Sequence, residues 1–60
     1  MDKQQLLAHE VMHTAYIIIN MIDMELAQHQ YMEDHPKVAD AVERALMAVS
    51  DVYRIAADEE

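Results

Sequence analysis

The chain contains no glycine and no cysteine, and Pro36 is its only proline. Without glycine there is no Gly-rich loop whose amides could cradle a phosphate, which excludes the common nucleotide-hydrolase loops. Without cysteine, neither a disulfide nor a thiolate metal site can staple the fold. Cations are scarce too: four Lys and Arg stand against twelve Asp and Glu, a formal net charge of −8. That balance opposes binding to the phosphate backbones of DNA or RNA. The apolar run 15–19 is closed by Asn20 and falls far short of the roughly 20 residues a membrane span needs. Residues 1–5 lead into too little apolar sequence for a secretory signal. The expectation is a soluble, cytoplasmic protein with no membrane partner. Its acidity then reads as a solvated surface, or as a field complementary to a basic partner.

What is present favours helix. Asp2 followed three residues later by Gln5 forms a capping-box pattern, and the stretch after it is rich in Leu, Met, Glu, Gln and Ala. Pro36 disfavours helical backbone at His35 and suits the first turn of a new helix. The reading is a single all-α domain: a helix over 3–33, a joint at 34–35 and a second helix over 36–57. At about 1.5 Å per residue these are roughly 46 Å and 33 Å long, so the first is expected to overhang the second.

The second helix carries apolar residues at alternating spacings of four and three: Val38, Val42, Ala45, Val49, Val52 and Ala56, flanked by Leu46 and Tyr53. The first carries two stripes. One holds Ala8, Val11, Met12, Ala15, Ile18, Ile19, Ile22 and Leu26. The other holds Ile17, Met24 and Tyr31 at sevenfold spacing, with Leu6 alongside. One partner helix cannot cover both. A chain of 60 residues also buries only about 60% of its unfolded surface and is marginal without partners. An antiparallel hairpin that assembles into a homo-oligomeric bundle follows, most simply a dimeric four-helix bundle, with Leu6, Ile17, Met24 and Tyr31 at the interface.

Residues 9–13 read HEVMH and match H-E-x-x-H, in which two histidines one helical turn apart bind zinc and the glutamate activates water. A catalytic zinc needs three protein ligands and an open position. Glu25 and Glu33 lie too far along the same helix to supply the third. His9 and His13 are therefore metal candidates only if another helix or subunit completes the set, and the plainer reading is of polar interface residues beside Tyr16. Ser50 is the sole serine, with no base in register. Enzymatic activity is not expected, and no cofactor is implied apart from that conditional zinc.

For a small anion the best location is the start of the second helix, where His35 and Lys37 flank free amides. Arg44, Tyr53 and Arg54 would add charge and stacking where symmetry brings copies together. With His9, His13 and Tyr16 in the first helix, the His35-Pro36 joint, and ERALMAVSDVYRIA over 43–56, the chain resembles short helical proteins encoded by bacteriophages. That resemblance implies a non-enzymatic counter-defence protein of the host cytoplasm. Such a protein would sequester a small nucleotide-type signal between subunits or, alternatively, occlude a host protein as an acidic inhibitor or adaptor.

Overall fold

The structure, a computed structural model, describes residues 2–59. It is all-helical, as the composition predicts. Helix α1 spans Lys3–Met21, and α2 spans Pro36–Asp58. The Asp2 carboxylate accepts from the Gln5 amide at 2.8 Å, and the Gln5 side-chain oxygen accepts from the Asp2 amide at 3.1 Å. Two orphan donors of the first turn are thus satisfied reciprocally. Pro36 occupies the first turn of α2, where its missing N–H costs nothing.

Between the helices the chain departs from the expected uninterrupted helix over 3–33. Regular α-helix stops at Met21 and gives way to a π-helical segment, Ile22–Ala27, and then to a short 3₁₀ segment, Gln30–Asp34. The Gln28 amide reaches the Asp23 carbonyl five residues back at 3.2 Å, and the Gln28 side chain reaches the Asp23 carboxylate at 3.4 Å. His29 is extended, and its Nδ1 accepts from the Tyr31 amide at 3.0 Å. A side chain that bonds nearby backbone competes with the helical ladder, and the His29 ring does so where the helix ends without glycine or proline. The π segment advances the chain less per residue than an α-helix. Regular α-helix in the first limb is shorter than expected, with 19 residues in α1 against 23 in α2.

The two helices meet along one line. From α1 and its extension, Gln5, Ala8, Met12, Ala15, Ile19 and Ile22 turn inward; from α2, Ala39, Val42, Leu46, Val49 and Ala56 do so. This corrects the seam predicted for α2. Val38, Ala45 and Val52 are exposed, and Ala39 and Leu46 take the inward positions. Nearly half the circumference of α2 is apolar, so periodicity alone does not choose which part faces α1. Bulkier Leu46 fills the gap between the helices better than Ala45. On α1 and its π-helical extension, likewise, Val11, Ile18 and Leu26 of the predicted main stripe remain exposed.

Packing is thin. Ala15, at 3% exposure, is the one buried hydrophobic residue among those described. The backbone measures 48 × 15 × 9 Å, with a radius of gyration of 14.0 Å. A compact chain of this length would have about 10 Å. The molecule is a single layer of helices, whereas stable domains stack two.

Candidate functional site

At about 100° per residue, the side chains bordering the contact line fall on two flanks. On one flank Leu7, Val11, Ile18, Val49 and Val52 line an open groove of about 480 Å³, with Glu10 and Thr14 at its edge. Further along, Ile18, Met21, Ile22 and Leu26 extend the apolar surface beside Glu25. On the same side α2 presents Val38, Ala41, Ala45, Ala48, Val52 and Ile55, all exposed. Their spacing alternates three and four, the period of a helix seam. The result is a flat apolar face two helices wide.

The opposite flank is polar. His9, His13, Tyr16 and Tyr53 surround a shallow depression of about 280 Å³ floored by Met12. The two histidines sit one turn apart as expected, and Tyr53 joins them from α2 instead of joining Arg44 and Arg54. No group of three or more His, Cys, Asp or Glu side chains that could hold a metal ion occurs among the described residues. Two imidazoles alone do not make a zinc site. Metal analysis after zinc dialysis is accordingly expected to give the same content for the parent, His9→Ala and His13→Ala. Stoichiometric zinc lost in either variant would establish a metal centre.

The anion candidates are not gathered by one chain. His35 and Lys37 sit at the start of α2, and Arg54 lies 17 positions beyond Lys37, roughly 26 Å along the axis. Arg54 pairs with Asp51 at 3.1 Å, both exposed. Arg44 is exposed on the outer side of α2 with Asp40, Glu43 and Asp51. The His35 ring stacks on Tyr31 with centroids 3.6 Å apart, and its Nδ1 lies 2.8 Å from the Tyr31 carbonyl oxygen. That contact requires a proton on Nδ1, so His35 acts first as a brace for the joint. The Ser50 hydroxyl donates to the Leu46 carbonyl one turn back at 2.8 Å.

Of the residues read as an interface, Leu6, Ile17 and Met24 project from the first helix and its π-helical extension away from α2, and Tyr31 lies in the 3₁₀ segment. All four are exposed. The broader face joins Val11 and Ile18 of the predicted main stripe and Val52 of the predicted α2 seam with Leu7, which neither pattern includes. Its signal is the 38, 41, 45, 48, 52, 55 spacing, which interleaves with the inward 39, 42, 46, 49, 56 set.

No protein-family profile matches the chain, and no curated protein or solved structure is significantly similar to it. Among the described residues, no helix is long and apolar enough to cross a membrane.

Proposed function

We propose that this chain is a non-enzymatic binding protein whose working form is a homo-oligomeric helical bundle and whose target is a protein surface. The observation that carries the reading is the division of its surface. One side is a continuous apolar face, and the outer side of α2 is acidic, with Asp40, Glu43, Asp51 and Asp58 exposed. Extended faces of these two kinds suit assembly and recognition of a basic protein. Catalysis, in contrast, needs an acid, base or nucleophile held where water is excluded. Every acidic, basic and hydroxyl-bearing side chain among the described residues is exposed in the hairpin.

Sequestration of a nucleotide-type signal takes second place, because His35, Lys37, Arg44, Tyr53 and Arg54 would have to be gathered from several copies. Two titrations separate the readings. Calorimetry with ADP-ribose and a cyclic oligonucleotide is expected to show no saturable heat, and stoichiometric binding would favour the nucleotide reading. Capture of a basic protein from host extract is expected to weaken as ionic strength rises from about 0.05 to about 0.5 M. It should be lost when Asp40, Glu43 and Asp51 are changed to lysine, and capture indifferent to both changes contradicts the proposal.

A further inference from the structure

We infer that the apolar face bearing Leu7, Val11, Ile18, Val49 and Val52 is occupied by a second copy of this chain, packed face to face to complete a two-layered bundle. This rests on the homo-oligomeric reading above and specifies which surface performs it.

Area makes the case first. A folded monomer of 6.9 kDa exposes about 4,000 Å², whereas this chain exposes 4809 Å². The surplus, about 800 Å², is what each partner gives up in an interface of standard size. A slab 48 Å long and 15 Å wide offers that area only on a face spanning both helices. The outward stripe through Leu6, Ile17 and Met24 is one helix wide and cannot supply it.

Charge points to the same surface. A chain of net charge −8 repels its own copy unless its acids are kept apart. Asp40, Asp51 and Asp58 project from the far side of α2, and Glu43 from the flank opposite the apolar stripe. Glu10, Glu25 and, beside Leu7 and Val11, Glu59 border the apolar face. Two copies meeting there place most of their acids on the outside of the assembly.

Permanence identifies the occupant. With one buried hydrophobic residue among those described, the hairpin has no core to hold it while it waits for a transient partner. Its cover must be present whenever the chain is folded, and another copy always is. Ala41, Ala45 and Ala48, in mid-stripe on α2, let a facing helix approach closely.

The test is sedimentation equilibrium of the full chain at micromolar concentration, with substitutions on the two apolar surfaces. Val52 and Ile17 are about equally exposed, at 47% and 45%, so an isolated hairpin would tolerate glutamate similarly at either position. Val52→Glu is expected to weaken association ~100-fold or more, since symmetry buries the charge twice. Ile17→Glu should keep the parent mass. Where Val52→Glu does not fold, Val52→Thr, which keeps the side chain's shape but would bury a hydroxyl at the interface, keeps the hairpin and should weaken association ~10-fold. Unchanged association in both Val52 variants, with dissociation in Ile17→Glu, would move the interface to the outward stripe and overturn this inference while leaving the oligomer reading intact. A parent that is folded as a single copy removes both.

Discussion

A hundredfold dilution of the folded protein is expected to lower its melting temperature by about 10 °C. For a dimer that folds as it assembles, dilution by 100 removes about 2.7 kcal/mol of mass-action stabilisation. Two 60-residue chains unfolding together release about 0.25 kcal/mol per kelvin of entropy, which converts that loss into the stated shift. The expectation follows from the thinness of the packing: with Ala15 as the buried hydrophobic residue among those described, most apolar contact has to be made between chains. Thermal melts followed by circular dichroism across the concentration range check it. A midpoint that does not move would mean that the hairpin is stable by itself.

Ala15→Arg should abolish the fold altogether. At 3% exposure Ala15 is buried on the inward side of α1, and no acidic side chain shares its inward stripe, which consists of Gln5, Ala8, Met12, Ile19 and Ile22. Forcing a guanidinium into that line separates the helices or buries an unpaired charge, at a cost of several kcal/mol. A chain this short has about 3–9 kcal/mol of total stability. Helical circular dichroism should therefore collapse at 25 °C. Ala15→Ser, which adds one hydroxyl able to bond the carbonyl a turn back, should cost only about 1 kcal/mol. Near-parental helicity in Ala15→Arg would show that the contact line is not where the hairpin is held together.

What could be read in advance follows from how local each signal is. The Asp2 and Gln5 box and the placement of Pro36 are decided within one helical turn, and both appear in the structure as expected. The π-helical segment was not legible, because Asp23, Gln28 and His29 reveal their local bonds only once the backbone has turned to meet them. The phase of α2 was hidden for a different reason. Its apolar arc is wide enough for two seams, and choosing Leu46 over Ala45 as the inward residue requires knowing how α1 packs. The same breadth concealed the second face, since an arc that serves two neighbours has the periodicity of neither. His9 and His13 illustrate the limit for site residues: spacing placed them one turn apart, but only the fold brings Tyr53 beside them.

The central claim is that this hairpin is half of a folded unit. Its most direct test is the absolute mass of the folded protein at micromolar concentration, by sedimentation equilibrium or light scattering with helicity recorded on the same sample. The prediction is a helical species of twice the 6.9 kDa chain mass, or a higher even multiple. A helical, cooperatively melting species of 6.9 kDa would contradict it.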